Sequence, residues 1–167
     1  MRIRHQHQDG FTLIELLIVV AIIGIIAAIA IPGLRRAQMS GNEASTIGSM
    51  RAINTSQQNY AQKCNGYAPT LTELRLGFLS PDLTSGVSVI KSGFVVTLAQ
   101  AASGTPIPSP PAGCTGTTTN YYASAIPMMF MTTGTRSFAT TEEGTIFYTS
   151  TITPPGDPIP PASTPIQ

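Results

Sequence analysis

One apolar stretch, residues 11–31, restricts what this chain can fold into more than any other feature. Its 21 residues contain a single charged side chain, Glu15, and most of the others are Leu, Ile, Val or Ala. A helix rises about 1.5 Å per residue, so the stretch matches the roughly 30 Å hydrocarbon core of a bilayer. Basic residues precede it at Arg2 and Arg4, but the A-x-A cleavage site of a secretory signal does not follow it. The stretch therefore predicts a membrane helix.

Glu15 is the unusual residue of this predicted span. An ionised carboxylate inside lipid costs about 2.5–3.5 kcal/mol on insertion scales. No cationic side chain lies within a helical turn of it along the sequence, so we expect its partner to belong to another molecule. A plain membrane anchor for a binding domain that does not polymerise is the alternative, because the length of the stretch alone fits an anchor as well.

The residues "DGFTLIELLIVVAIIGIIAAIAIP", positions 9–32, resemble the N-terminal segment of type IV prepilins and type II secretion pseudopilins. That family pattern is a short basic leader ending in Gly, then Phe-Thr-Leu-Ile-Glu, then an apolar helix with a downstream Pro. The resemblance implies that prepilin peptidase cuts between Gly10 and Phe11 on the cytoplasmic side and methylates the new amine of Phe11. The apolar helix would stay in the mature chain.

The resemblance also implies a structural role without enzymatic activity. The subunit would wait in the inner membrane as a single-pass protein with its N-terminus in the cytoplasm. An assembly ATPase and an inner-membrane platform protein would then polymerise it, alone or with other pilins, into an extracytoplasmic filament that serves adhesion, motility or uptake. The type II secretion pseudopilin is the alternative within this class. Secretion pseudopilins often carry acidic calcium ligands late in the head, where this chain has only Asp157 after Ser150.

Four residues of the helix receive roles from the resemblance. The Phe11 amine of one subunit would pair with Glu15 of a neighbour, and because each charge is costly when unpaired in a low dielectric, the pair would favour one stagger between subunits. Gly24 and Pro32 would allow the helix to loosen in a filament. A simpler interpretation is that Gly24 and Pro32 only curve the membrane helix.

The cysteines of the chain are Cys64 and Cys114, which lack CxxC or zinc-site spacing. Once export is assumed from the resemblance, one disulfide between them is the favoured interpretation, and two unrelated buried thiols are the alternative. Closing a loop of this length should stabilise the fold by about 4 kcal/mol.

The predicted fold class is α+β, with a long N-terminal membrane-spanning helix packed on a small antiparallel sheet. The predicted parts are a leader that is removed (1–10), the membrane and filament-core helix (11–31), its amphipathic continuation (32–65), the β-sheet head domain (66–152) and a Pro-rich tail (153–167). In the continuation, a weakly apolar stripe is predicted through Ala44, Ile47, Met50, Ile53 or Asn54, Gln57, Tyr60 or Ala61, and Cys64. The opposite, solvated face is assigned to Ser40, Asn42, Glu43, Ser49 and Gln58.

Local patterns in the head predict about four strands. Hairpins are expected in residues 87–98, around Lys91-Ser92-Gly93, and in residues 135–150, around Glu142-Glu143-Gly144. Another strand is expected in residues 120–128, with Pro127 restricting it to an edge or marking its end. The tail is too rich in proline for helix or sheet, so we expect it to be extended and solvated.

Chemical motifs are scarce in this sequence. Both histidines, His5 and His7, lie in the predicted leader, and Glu142 with Glu143 fits a turn better than an acid–base pair. With 10% charged residues and a formal charge of +1, the chain offers no basic field for nucleic acid. We therefore expect no catalytic residue, metal site, cofactor or nucleic-acid partner.

Overall fold

A computed structural model describes residues 10–75 and 77–166 of the chain. The chain divides into two compact units, residues 1–37 and 38–167. Helix α1, Leu13–Cys64, contributes to both units. Residues 1–9, which hold most of the predicted leader and both histidines, lie outside the described residues. In the first unit, the described structure consists of the beginning of α1 and the short segment that precedes it.

The second unit combines the later part of α1 with an antiparallel sheet of six strands. Its strands are β1 (Ser88–Lys91), β2 (Phe94–Gln100), β3 (Tyr121–Pro127), β4 (Ser137–Thr141), β5 (Ile146–Thr149) and β6 (Thr164–Pro165), in the spatial order β1-β2-β3-β4-β5-β6. Two short 3₁₀ helices, Glu73–Arg75 and Pro81–Leu83, precede β1. The α+β prediction is confirmed.

Both predicted hairpins are present because their turns carry residues that tolerate left-handed backbone. Ser92 (φ 51°) and Gly93 (φ 74°) join β1 to β2, with Lys91 paired to Phe94, and two successive positive φ angles suit the twist of a tight hairpin. Gly144 (φ 75°) supplies the left-handed residue between β4 and β5. Pro127 is the last residue of β3, an interior strand whose ladder is not interrupted there.

The core lies between one face of the sheet and the later part of α1. In β2 the buried residues alternate with partly exposed ones, as expected where one face of an antiparallel sheet is covered. Phe94 of β2 and Phe138 of β4 pack with their ring centroids 5.9 Å apart. The fully buried large side chains include Tyr60, Tyr121, Phe94, Phe138, Met50, Ile53, Leu71, Leu74, Leu98 and Val96.

The tail is largely exposed, as predicted, but the prediction that it forms no sheet is wrong, and so is the prediction of about four strands. Residues 164–165 form β6 against β5, and the carbonyl of Pro155 accepts a hydrogen bond from the Tyr122 hydroxyl. Asp157 accepts another from the backbone N–H of Ala102 at 2.6 Å. Proline lacks only the N–H, so a Pro-rich segment can still pair at a sheet edge and accept through its carbonyls.

The predicted stripe on α1 is also partly wrong. Ala44, assigned to the apolar stripe, is exposed, whereas Glu43 and Ser49, assigned to the solvated face, are buried. Hydrogen bonds between α1 and the head therefore have a larger effect on which residues of α1 are buried than the weak apolar periodicity that predicted the stripe.

Candidate functional site

The start of α1 brings Thr12 and Glu15 together. The Thr12 N–H donates to Oε2 of Glu15 at 2.9 Å, the Thr12 hydroxyl donates to the same oxygen at 2.6 Å, and the Glu15 N–H donates to the Thr12 hydroxyl at 3.3 Å. This reciprocal pattern is a capping box, which satisfies backbone N–H groups that have no partner inside the helix. The sequence signal, Thr followed three residues later by Glu, was present but was not used in the sequence interpretation.

The capping box gives Glu15 a local role in addition to the predicted intermolecular one. A carboxylate at the third helical position also lies at the positive end of the helix dipole. Both hydrogen bonds from Thr12 end on Oε2, so the other carboxylate oxygen takes part in neither bond. The helix start thus holds the Glu15 side chain on Thr12, and Phe11, which is 85% exposed, immediately precedes Thr12.

The first part of α1 exposes apolar side chains on all sides. Leu13 and Ile29 are 80% and 77% exposed, and the least exposed large side chain of this part is Val19 at 45%. The whole set is Phe11, Leu13, Ile14, Leu16, Leu17, Ile18, Val19, Val20, Ile22, Ile23, Ile25, Ile26, Ile29, Ile31 and Leu34. This part of α1 is long and apolar enough to cross a membrane, and none of it is buried within the chain. A helix that is apolar all round needs lipid or other helices around it.

Gly24 and Pro32 both lie inside α1, which continues through them. A Cβ placed on Gly24 would meet no atom within 4 Å, so no contact inside the chain requires glycine there. Pro32 lacks the N–H that would continue the helical hydrogen bonds. Their assignment as flexible points stays a prediction.

The structure joins Cys64, the last residue of α1, to Cys114 by a disulfide across 50 residues of sequence. The same loop is held at a second point, where the Tyr60 hydroxyl donates to the Gly116 carbonyl at 2.6 Å. The backbone of Tyr67 also exchanges hydrogen bonds with that of Thr118 at 2.8 and 2.9 Å. These contacts fix the end of α1, and Tyr67 just after it, to the segment from Cys114 to Thr118.

Among the described residues of the head, Glu43 is a buried charged side chain, although the sequence pattern placed it on the solvated face. Its carboxylate accepts hydrogen bonds from the N–H and hydroxyl of Thr135 at 2.7 and 2.8 Å and from Nε of Arg136 at 2.8 Å. It also forms a salt bridge with Nη2 of Arg136 at 2.7 Å. Burial raises the pKa of the Glu43 carboxyl, but these hydrogen bonds outweigh burial, so the net pKa lies below its ordinary value of 4.5. A sequence window around Glu43 contains none of these partners, which lie about 90 residues away.

Two buried amides add further polar contacts between α1 and the head. Asn54 donates to the Thr140 hydroxyl and the Gly144 carbonyl at 3.0 and 2.8 Å and accepts from the Tyr121 hydroxyl at 3.1 Å. Gln57 donates to the carbonyl of Ala68 and accepts from its N–H, both at 2.8 Å. The Asn54 amide begins a glycosylation sequon, but these bonds occupy it inside the core, which agrees with a chance match.

In the described residues, no group of three or more His, Cys, Asp or Glu side chains is placed to hold a metal ion. Glu142, predicted to be a turn residue, accepts a hydrogen bond from the Asn120 amide at 2.8 Å. The candidate site that the structure presents is the start of α1 together with its exposed apolar side chains.

Comparison with known protein families gives a match in the segment that carries these exposed side chains. Residues 5–31 match the family model described as the prokaryotic N-terminal methylation motif. The chain is 42% identical to the type IV major pilin protein PilA of Myxococcus xanthus over 65 residues, which are 39% of this chain and 30% of that relative. It is 36% identical to a fimbrial protein of Pseudomonas aeruginosa over 83 residues, 47% and 54% of the two chains. It is 60% identical to the type IV major fimbrial protein FimA of Dichelobacter nodosus over 53 residues, 29% and 33% of the two chains.

The matches therefore span between about a third and a half of the length of these curated relatives. No solved structure matches the chain. A long apolar N-terminal helix and an antiparallel sheet define a pilin-like α+β protein. Residues 5–31 match the methylation motif, and over part of its length the chain is similar to type IV pilins and fimbrial proteins.

Proposed function

We propose that this chain is a structural subunit of a type IV pilus-like filament outside the cytoplasm. One observation carries the proposal: the first part of α1 exposes an uninterrupted apolar surface whose only charge is Glu15. Such a surface needs lipid while the subunit is stored and neighbouring helices once it polymerises. The methylation motif matched by residues 5–31 and the similarity to relatives named pilin and fimbrial protein support the same use here.

Processing at the start of the chain would create the charge that Glu15 requires. Cleavage between Gly10 and Phe11 by prepilin peptidase would leave a positive amine on Phe11, and methylation would keep that charge. In the filament, the amine of one subunit would meet Glu15 of a neighbour. Head-to-tail contacts of this kind do not close on themselves, so they build a helical filament.

The proposed location follows from the same segment. The subunit would span the inner membrane once through residues 11–31, with its N-terminus in the cytoplasm, and the head would be exported. The Cys64–Cys114 disulfide supports the exported side for the head, because such bonds persist in oxidising compartments. A peptidase, an assembly ATPase and a platform protein are the partners that this route requires. Gly24 and Pro32 would supply flexibility to α1 within the filament.

A secretion pseudopilin is the nearest other function, but no observation favours it. In the described residues after Ser150, Asp157 is the one acidic side chain, and it accepts a hydrogen bond from the Ala102 backbone. The named relatives are pilins and fimbrial proteins. Deletion of the chain should therefore remove surface fibres and leave protein secretion intact.

Mass spectrometry of sheared surface fibres tests the proposal. The fibres should contain this chain beginning at Phe11, with 157 residues and one added methyl group. A membrane fraction from cells that lack the peptidase should contain the chain beginning at Met1 and no fibres. Fibres built from chains that still begin at Met1 would contradict the processing route. Absence of the chain from all fibres would favour a membrane anchor that does not polymerise.

A further inference from the structure

The exposed large apolar side chains of the head are concentrated at one end of its sheet. In the described residues after position 37, six such side chains are exposed: Val87, Ile90, Met128, Met129, Met131 and Ile152. All except Val87 lie at or next to the end of the sheet where β1 turns into β2, β3 ends, β4 begins and β5 ends. We name these five residues the apolar rim: Ile90, Met128, Met129, Met131 and Ile152.

The three methionines of the rim belong to a loop that hydrogen bonds hold in place. The N–H of Met128 donates to the Gly93 carbonyl at 2.9 Å, and the N–H of Met131 donates to the Gly134 carbonyl at 2.8 Å. Met131 has a left-handed backbone (φ 66°), which is uncommon for a long side chain. A Cβ on Gly134 would lie 2.4 Å from the ring of Phe94, so the loop packs directly on the core. The apolar side chains are thus presented on a fixed loop.

The rim lies at the end of the head where α1 enters it. The Asn42 amide donates to the Thr133 carbonyl at 3.1 Å, and the hydroxyls of Ser45 and Ser92 are 2.8 Å apart. Along the sequence, Asn42 follows Ile31, the last residue of the proposed membrane span, by eleven residues. Eleven helical residues cover about 16 Å, of which roughly 5–8 Å corresponds to the headgroup layer. The segment that connects the proposed membrane span to this end of the head is therefore short.

The charges around the rim are paired. Arg136 binds Glu43 at 2.7 Å, and Lys91 binds Asp82 at 2.7 Å. Residues 128–134, which form the methionine loop, contain no charged side chain. An apolar surface without unpaired charge enters a lipid interface at low cost, and flexible methionine side chains adapt to an irregular surface.

We propose that the apolar rim docks the head on the lipid surface of the membrane while the subunit is stored there. The proposal rests on the membrane insertion proposed above. A lipid surface fits the rim better than a second head does, because outside the rim the described head residues expose one large apolar side chain, Val87. A second head therefore offers no apolar patch of comparable size for a head-to-tail contact.

Single tryptophan probes test the docking, since the chain contains no tryptophan. Met129→Trp and Ile152→Trp place probes in two separate parts of the rim. Val87→Trp is the matched control, because Val87 and Met129 are 62% and 61% exposed. Leu17→Trp reports on the proposed span. The full chain is placed in phosphatidylcholine nanodiscs at one chain per disc, with or without lipids brominated near the headgroup end of the acyl chain.

Bromine should quench both rim probes at least about twofold more than the Val87→Trp probe, because only the rim would touch the lipid interface. Rim probes quenched no more than Val87→Trp, with Leu17→Trp strongly quenched, would overturn the docking and leave the membrane insertion standing. Absence of quenching at Leu17→Trp would reject the insertion itself. If the Met129→Trp probe became shielded only at high protein density, the rim would contact a second copy of the chain and not the lipid. Disulfide mapping of each variant confirms that its head is folded.

Discussion

The two parts of helix α1 distribute polarity in opposite ways. From Leu13 to Leu34 its large side chains other than Glu15 are apolar and exposed, with Ile29 at 77%. After position 38 many of its buried side chains are polar, with Glu43 at 4% and Gln57 at 0%. One continuous helix thus shows apolar residues to the outside and encloses a carboxylate and two amides.

The difference shows that a side chain of α1 is buried where the rest of the chain supplies contacts for it, whether that side chain is polar or apolar. Glu43, Asn54 and Gln57 are buried because the head supplies each one with hydrogen bonds, which remove most of the cost of leaving water. The apolar residues of the first part have no partner surface in their own chain. They need a partner from outside, which is why we propose lipid first and other subunits later.

Removal of the disulfide should give the largest loss of stability in the head. Cys64→Ser with Cys114→Ser should lower the free energy of unfolding by about 4 kcal/mol, because the 50-residue loop becomes unrestrained in the unfolded state. Urea unfolding of the mature chain in detergent measures the loss, and Ala112→Ser, an exposed position in the same loop, is the control. Membrane insertion should be unchanged. Equal stability of oxidised and reduced protein would show that the later part of α1 is held by packing alone.

Replacement of a buried amide should have the next largest effect. Gln57→Leu should destabilise the head by about 3 kcal/mol, because the N–H and carbonyl of Ala68 would stay buried without partners. Gln58→Leu is the matched control at the exposed neighbouring position and should change stability by less than about 0.5 kcal/mol. If Gln57→Leu and Gln58→Leu lowered the free energy of unfolding equally, the hydrogen bonds of Gln57 with Ala68 would not contribute to the stability of the head.

Glu43→Gln should have a smaller effect that depends on pH. At neutral pH we expect a loss of about 1–2 kcal/mol, because Arg136 keeps its contacts with the rings of Phe138 and Tyr148 at 5.7 and 5.2 Å. The folded protein lowers the pKa of Glu43, so its stabilisation is present above the ordinary pKa of 4.5 and is lost as pH falls through the lowered value.

Unfolding curves from pH 7 to pH 2 measure this difference, with the exposed Glu143→Gln as control. The curves of wild type and Glu43→Gln should converge at the acid end. A constant gap between them down to pH 2 would contradict the lowered pKa and would attribute the loss to packing.

Local sequence signals predicted a large part of this structure. The apolar run predicted the exposed part of α1, and the Ser92-Gly93 and Gly144 turns predicted both hairpins, because backbone preference and alternation act over a few residues. The pairing of β6 and the burial of Glu43 could not be found in this way. Thr164 pairs with Tyr148 and Glu43 binds Arg136, and such long-range partners become adjacent only after folding.

The Glu15 assignment shows a different limit. The sequence predicts a cost for this carboxylate in lipid, and the structure adds a local partner, Thr12, that lies three residues away. The capping box could by itself justify a carboxylate at this position. The proposed contact with the Phe11 amine of a neighbour must therefore be separated from the cap by experiment.

The yield of sheared fibres from Glu15 variants tests the central claim most directly. Glu15→Gln keeps an oxygen that can accept from Thr12 but removes the charge, Glu15→Ala removes both, and Glu15→Asp keeps the charge on a side chain one methylene shorter. Each variant is expressed without wild-type subunit, and its fibre yield is compared with its abundance in the membrane.

Membrane abundance should be unchanged or higher in the Gln and Ala variants, since both replacements cost less than a carboxylate in lipid. Fibre yield should fall more than about tenfold in both, because the Phe11 amine of the incoming subunit would stay unpaired in a low dielectric, and Glu15→Asp should be partly defective. If Glu15→Gln gave fibres at the wild-type level and only Glu15→Ala lost them, the role of Glu15 would be limited to capping the helix. Normal fibres from Glu15→Ala would contradict any role of its charge in assembly.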